Sequence, residues 1–295
     1  LLFFLFALRS VGIALTYKYD ILFATSTPLT AGIPGIFARW IRRKTFVFEV
    51  RDLWPELPKA MGVITNPILL KLMSLLEYAC YKSAHRLIGL SPGICDGIAL
   101  RGISPKKIIQ ISNGCDIKLF SKEVKSWRPP EINEGELIFI YSGTHGMANG
   151  LDAILDAVKV LNTRIVSGYQ VILIGNGREK IGLMKRAELE SLTNHIVFLD
   201  PISKERLIGL FKESDVGLQI LANVSAFYFG TSPNKFFDYL SAGLPVLTNY
   251  PGWVADLIEE NNCGFYCEPG SPRKLADQME SIILKKEELS VLGRN

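Results

Sequence analysis

One lysine and one aspartate stand a helical turn apart in Ser232-Pro233-Asn234-Lys235-Phe236-Phe237-Asp238. Pro233 suits the first position of a helix, because its fixed φ is helical and its missing N–H would be unpaired there, so Ser232 is expected as the cap. An open helix start offers free backbone N–H groups and the positive end of a dipole, and Lys235 adds a point charge in the same turn. Together these attract a phosphate. Asp238 is expected on the same face, where a carboxylate can accept hydrogen bonds from two vicinal hydroxyls such as those of ribose. The chemistry this predicts is recognition of a nucleotide, with a diphosphate held without a metal. The competing reading is a surface helix whose exposed Lys and Asp form a weak ion pair. Spacing alone leaves both open.

The elements needed to position such a site are legible along the chain. Its 295 residues are 48% hydrophobic, more than one core usually organises, so two domains are expected and disorder is excluded. Short β-rich runs alternate with helical stretches. The first series has strands at 21–24, 45–50, 87–90 and 108–111, with helices at 29–43, 67–84 and from Pro92. The second has strands at 137–141, 171–174, 196–198, 216–219 and 246–247, and 264–266 also reads as a strand. This is βαβ rhythm, which predicts two α/β domains with parallel sheets covered on both faces. The expected domains are residues 1–120 and 136–295, joined by a polar linker over 121–135 that carries Pro129 and Pro130.

Ligands on such sheets bind beyond the carboxyl ends of the strands. Three glycine-bearing loops are expected there: Ser142-Gly143-Thr144-His145-Gly146, Gly175-Asn176-Gly177 and Phe229-Gly230-Thr231-Ser232. Glycine lets backbone approach a phosphate closely, although glycine also serves ordinary strand-to-helix turns. The predicted nucleotide cradle is therefore Gly143, His145, Gly146, Gly175, Gly177, Gly230, Thr231, Ser232, Asn234, Lys235 and Asp238. His145 could hydrogen-bond a phosphate, whereas His85 and His195 border strands and read as structural. In the first domain, Arg51 and Asp52 follow a strand end and are the candidate catalytic pair, with a salt-linked loop through Glu56 as the alternative.

Charge and cysteine content narrow the classes. A net charge of +4 favours an anionic substrate or membrane surface but is too small, and too scattered, to imply nucleic acid. Five cysteines without paired spacing indicate neither a disulfide framework nor a zinc site, and they fit a cytoplasmic protein with buried thiols. No Asp-any-Asp metal motif occurs, and no cofactor is expected. The opening Leu1-Leu2-Phe3-Phe4-Leu5-Phe6-Ala7-Leu8 is too short to cross a membrane. It reads as a helix that is buried or lies on a membrane surface, with burial the expectation.

The motifs Val50-Arg51-Asp52-Leu53-Trp54-Pro55-Glu56, Leu90-Ser91-Pro92, Ser112-Asn113-Gly114-Cys115-Asp116, Gly175-Asn176-Gly177 and Ser232 through Val246, in this order, resemble glycosyltransferase family 4. The subgroup most similar is the N-acetyl-L-fucosamine transferases of O-antigen or capsule synthesis. The resemblance implies the GT-B fold, with two Rossmann-like domains facing each other across a cleft, and a chain truncated at both ends. It implies transfer of a sugar from a nucleoside diphosphate, UDP being the expected carrier, to an acceptor hydroxyl with retention and without metal. It places Asp238 at the family's ribose-binding Glu, Gly230 where the donor-sugar Glu would stand, and Thr144 and Asn149 where the family carries its phosphate-binding cations. Phosphate neutralisation is then expected to shift to Lys235 and backbone N–H groups, and Arg51, beside Asp52, takes the place of the His that the family often carries at a strand end of its first domain.

The expected partners are a nucleoside-diphosphate sugar and a glycan or lipid-linked acceptor. A peripheral contact at the inner membrane face is a further expectation. Two alternatives remain open at this point, a nucleotide-sugar epimerase of the same fold and a non-catalytic nucleotide-binding relative.

Overall fold

The structure, a computed structural model, describes residues 2–295 and divides into two compact units. One comprises residues up to Asn113 together with Val224–Ser232; the other comprises Gly114–Asn223 and Pro233–Asn295.

The first unit carries a four-stranded parallel sheet of β1 (Ile21–Thr25), β2 (Thr45–Val50), β3 (Arg86–Gly89) and β4 (Ile108–Gln110), in that spatial order. β2 alternates buried and partly exposed side chains, and Phe46, Phe48 and Val50 point into a core with Cys80, Tyr81, Leu87 and Ile94. Two helices pack here for local reasons. Pro67–Ser83 is capped by the Asn66 side chain, which accepts from the Ile68 and Leu69 N–H groups, and Pro92–Leu100 is capped by Ser91, which accepts from the Ile94 N–H. Inside the core, Glu77 accepts a hydrogen bond from Tyr81 at 2.9 Å and pairs with Arg101 at 2.9 Å. Burial outweighs these contacts and raises its carboxyl to about 7.

The second unit holds six parallel strands, β5 (Leu137–Ser142), β6 (Tyr169–Ile174), β7 (Ile196–Leu199), β8 (Val216–Gln219), β9 (Val246–Thr248) and β10 (Gly264–Tyr266), in the spatial order β10-β9-β8-β5-β6-β7. Every residue of β5 and β6 is buried, as expected of central strands covered by helices on both faces. Between β8 and β5 the strand order changes direction, the place where open α/β sheets form their crevices. Leu155, Val158, Leu161, Leu275, Met279 and Ile282 of the Asp152–Thr163 and Pro272–Leu284 helices share the core of β5 and β6.

The structure corrects three expectations. The segment 121–135 is not a free linker: Trp127 N–H donates to the Gly209 carbonyl at 3.2 Å, Asn133 N–H donates to Gln170 Oε1 at 2.7 Å, and Ile132 is buried. Its polar composition hid the fact that backbone pairing, the buried Pro129 and Ile132 and the Arg128–Glu213 ion pair fasten it to the second unit. The boundary near residue 120 moves to Asn113, and Val224–Ser232, placed by sequence in the second domain, belongs to the first unit. Ser91 donates its hydroxyl hydrogen to the Phe229 carbonyl at 3.2 Å, and a Cβ on Gly93 would lie 2.1 Å from that same oxygen. Only glycine admits this approach.

The third correction concerns the apolar start of the chain. Leu2–Thr16 is a helix, but Ala7 and Ala14 are its only buried residues, while Leu2, Phe3, Phe4, Phe6 and Leu8 are each more than half exposed. A helix that is apolar all round cannot bury every face against one neighbour, and its alanine face makes the close approach. Among the described residues no helix is long and apolar enough to cross a membrane.

Candidate functional site

The predicted helix start is shifted by one residue. Asn234–Ser241 forms the helix, and Pro233, at φ −78° and ψ 128°, is its cap rather than its first residue. Ser232 is not the cap: its Oγ accepts from the Asn113 N–H at 3.0 Å, and its carbonyl accepts from Asn113 Nδ2 at 2.5 Å. No side chain caps this helix, so its first N–H groups remain available to a ligand.

A cavity of about 610 Å³ opens at these N–H groups. Its wall includes Gly143, Thr144 and Asn149 after β5, Gly175 and Asn176 after β6, Pro201 and Ile202 after β7, and Asn234, Lys235 and Asp238 from the helix. All belong to the second unit. The glycines are there for geometric reasons. Gly143 and Gly175 have φ of +153° and +144°, and a Cβ on Gly175 would lie 1.8 Å from the Gly143 carbonyl oxygen. The two turns touch through backbone, which side chains would forbid.

Lys235 supplies the positive charge. Its Nζ donates to Tyr141 Oη at 2.9 Å and to Asn149 Oδ1 at 3.3 Å, and it lies 4.0 Å from the centre of the Tyr141 ring. No carboxylate pairs with it among the described residues. Burial pulls its ammonium down to about 7, as expected for an amine that has lost water and found no counter-ion. Asn149, which takes the place of a cation in the resemblance, instead fixes the loop: its Nδ2 donates to the Thr144 carbonyl at 2.8 Å while its Oδ1 meets Lys235.

Asp238 does not pair with Lys235. Its Oδ2 accepts from Lys204 Nζ at 2.5 Å. The weak Lys235–Asp238 pair of the alternative reading is therefore absent, and each residue reaches the cavity independently. Lys204 was not foreseen; it lies 34 residues before Asp238, and no spacing rule links positions so far apart. Lys180 was also missed. Its buried ammonium donates to the Gly175 carbonyl at 3.0 Å, the Leu199 carbonyl at 2.9 Å and Asp200 at 2.6 Å, so it ties the β6 and β7 turns together.

Other predicted residues fall elsewhere. His145 is fully buried beneath the loop, between Tyr141 and Phe198, and lines no part of the cavity. Burial, with Lys180 adding, lowers its imidazole to about 4, so at neutral pH it carries no charge for a phosphate. Gly146 and Gly177 flank the lining residues without joining them; a Cβ on Gly177 would meet the His145 carbonyl at 2.2 Å. His85 and His195 hold backbone and ring contacts, His85 Nδ1 accepting from the Phe46 N–H at 3.1 Å and His195 stacking on Tyr169 at 4.5 Å.

Gly230 and Thr231 line a second, smaller cavity of about 90 Å³ in the first unit, together with Asp52 and Glu56. Asp52 is raised by burial, opposed by a hydrogen bond from the Thr27 hydroxyl at 3.1 Å and by the charge of Arg51. The Arg51 N–H donates to Ser26 Oγ at 2.9 Å and its side chain is exposed. Among the described residues Arg51, Asp52 and Glu56 form no ion pair, so the salt-linked loop considered from sequence is not formed. No group of three His, Cys, Asp or Glu side chains is placed to hold a metal among the described residues.

Residues 124–295 match the family described as glycosyl transferases group 1, and residues 2–114 match the glycosyl transferase 4-like domain. A curated relative, the N-acetyl-alpha-D-glucosaminyl L-malate synthase of Bacillus anthracis, is 23% identical over 190 residues, 63% of this chain. The match spans about half of that relative, 47% of its length. Anabaena HepE, solved in complex with UDP-glucose, is similar with a TM-score of 0.75 at 18% identity, over 98% of this chain and 75% of its own. WaaG, a glycosyltransferase involved in lipopolysaccharide biosynthesis, reaches 0.67 at 13% identity, over 97% and 88%. At such identities the likeness concerns the fold, which is the GT-B α/β fold expected from the motifs.

Proposed function

Because this chain belongs to the glycosyl transferases group 1 family, we propose that it transfers a sugar from a nucleoside diphosphate, UDP in the first instance, to an acceptor hydroxyl. The observation that carries this reading is Lys235: a half-buried amine with no carboxylate partner among the described residues, set beside two glycine turns and an uncapped helix start in one cavity. A cation in such a place stabilises an anion that arrives or grows there, without reorganisation at the moment of reaction. Breaking the bond from the anomeric carbon leaves charge on the departing diphosphate, and Lys235, the N–H groups of Asn234 and Lys235, and the backbone around Gly143 and Gly175 receive it. Asp238 holds the ribose. That HepE has been solved with UDP and with UDP-glucose supports UDP as the carrier.

On the acceptor side, Asp52 is the residue to take up or direct the proton of the acceptor hydroxyl, since burial keeps its carboxyl more basic than usual. Arg51 lends a neighbouring charge. Retention at the anomeric carbon and independence from metal follow the motif resemblance, which also supports a cell-surface glycan as the product. The apolar Leu2–Thr16 helix, with Trp40 and Ile41 exposed beside Arg39, Arg42 and Arg43, supports a peripheral membrane contact and a lipid-linked acceptor. Flotation with anionic liposomes tests that part, and protein that stays at the bottom of the gradient removes it.

Calorimetric titration with UDP, GDP and ADP tests the donor site. Selective binding that is lost in Lys235→Ala and Asp238→Ala supports it; no binding by the folded wild type overturns it. Incubation of a UDP-sugar without acceptor separates transfer from epimerisation, because only an epimerase changes the configuration of the sugar under those conditions.

A further inference from the structure

Lys204 has no place in the motifs, yet it makes the closest contact of any cation with the proposed ribose carboxylate. It is the first residue of the Lys204–Phe211 helix, which Ser203 caps by accepting from the Arg206 N–H at 3.3 Å. Its Nζ donates to Asp238 Oδ2 at 2.5 Å and lies 5.3 Å from the centre of the Phe120 ring. Phe120 stacks on Phe211 at 6.4 Å, and Phe211 meets Tyr239, the neighbour of Asp238, edge-on at 5.4 Å. The ammonium is thus guided from one side by an aromatic pair and from the other by the carboxylate.

The pair differs from an ordinary surface ion pair. The Asp238 side chain is only 15% exposed, against 37% for Lys204, and it belongs to the cavity wall. An exposed pair would contribute little, whereas removing the cation here leaves a largely buried carboxylate unpaired. Lys204 engages one oxygen only. Among the described residues nothing donates to Oδ1 of Asp238, and an ionised carboxylate has capacity there for further hydrogen bonds.

We propose that Lys204 is a positioning residue of this site: by holding Oδ2 of Asp238 it turns Oδ1 toward the vicinal hydroxyls of a ribonucleoside, so that the pair, rather than the aspartate alone, selects ribose. This deepens the nucleotide reading and rests on it. Lys204 neutralises Asp238 without touching the diphosphate, and since it does not itself line the cavity it acts through the carboxylate. Lys235 reads the phosphates and Lys204 orders the sugar contact, which divides two neighbouring cations between two parts of one ligand.

The test compares binding of uridine diphosphate, its 2′,3′-dideoxy analogue and inorganic diphosphate to the full chain by calorimetry. The wild type is expected to prefer the ribonucleotide over the dideoxy analogue by about tenfold or more, the worth of hydrogen bonds to a charged acceptor. Lys204→Ala is expected to shrink that preference to within about threefold while leaving the affinity for inorganic diphosphate unchanged. Lys204→Arg, which keeps a cation at the carboxylate, is expected to keep most of the preference, a rescue that a merely structural role would not produce selectively. A preference that stays or rises in Lys204→Ala, while Asp238→Ala abolishes it, overturns the positioning role and leaves the nucleotide reading standing. Failure of the wild type to bind uridine diphosphate overturns that reading and this assignment with it.

Discussion

The two units are built on the same plan, a parallel sheet with helices, yet they shelter ionisable groups of different kinds. In the second unit bases prevail, Lys235 without a carboxylate, Lys180 on backbone carbonyls and Asp200, and His145 pushed down to about 4, beside the one carboxylate of Asp238 that Lys204 neutralises. In the first unit acids prevail, Glu77 raised to about 7 and Asp52 raised by burial. The strand ends differ in the same sense. β5 and β6 run into glycine turns that expose backbone, whereas β2 runs into Arg51-Asp52-Leu53-Trp54, rich in side chains. In the function proposed above, the glycine-turn end receives the anion and the side-chain-rich end the acceptor hydroxyl.

The largest effect expected of any single change lies in the second unit. Lys235→Met should lower UDP affinity at least a hundredfold, since a charge-assisted contact is lost and the anion then meets an uncharged wall. The same variant should melt at a higher temperature, because an amine held near 7 by burial costs stability in the empty protein. Asp52→Asn, by contrast, should leave UDP affinity within about twofold while impairing transfer. Equal losses in the two variants, read by calorimetry, would dissolve the contrast between the units.

A glycine exchange sharpens the point about the turns. Gly175→Ala would place a Cβ 1.8 Å from the Gly143 carbonyl oxygen at a φ of +144°, and it should cost about 2–3 kcal/mol in denaturant titration and impair nucleotide binding. Gly182, in the Lys180–Leu189 helix with open space where a Cβ would go, should instead gain roughly 0.5–1 kcal/mol on substitution by alanine.

The pH dependence of binding is a smaller effect with a definite sign. Lys235 is protonated below about 7 in the empty site, and a bound diphosphate favours the charged form. UDP affinity should therefore fall as pH rises above about 7, by up to roughly tenfold per unit, and binding near that pH should take up protons in buffers of differing ionisation heat. In Lys235→Met the dependence should disappear.

A last pair of effects separates the units by stability. His145 binds a proton less readily folded than unfolded, so its contribution is present above about 6.5 and is lost as pH falls toward 4. Glu77 has the reverse sign: its folded carboxyl is raised, so its contribution is present below about 4.5 and is lost as pH rises through 7. Protection of the β5 and β6 amides, taken relative to the unfolded chain at the same pH, should fall in acid and that of β2 and β3 on the alkaline side, and His145→Asn and Glu77→Gln should flatten the respective trends.

How far the sequence could be read varied with the range of the interactions. The strands at 45–50, 137–141 and 216–219 were legible because a continuous or alternating apolar run needs no partner to announce itself. Gly143, Gly175, Lys235 and Asp238 were legible as well, since glycine turns and a helix start are local signals, and the structure places all four on one cavity wall. Ser232 was misassigned because its hydroxyl goes to the Asn113 N–H, 119 residues away. His145 looked available in its loop, but packing with Tyr141 and Phe198 buried it.

The sequence by itself determined the alternation of strands and helices, the glycine turns, and the placing of one cation and one carboxylate on the first turns of one helix, because each depends on backbone preference or on spacing within a few residues. Tertiary structure alone decided which carboxylate meets which cation. Lys235 is left without a carboxylate because Tyr141 and Asn149 surround it, and Asp238 is claimed by Lys204 from another helix. Charge pairing acts over a few ångströms of space, whatever the separation along the chain, and only the folded sheet brings those positions within that reach.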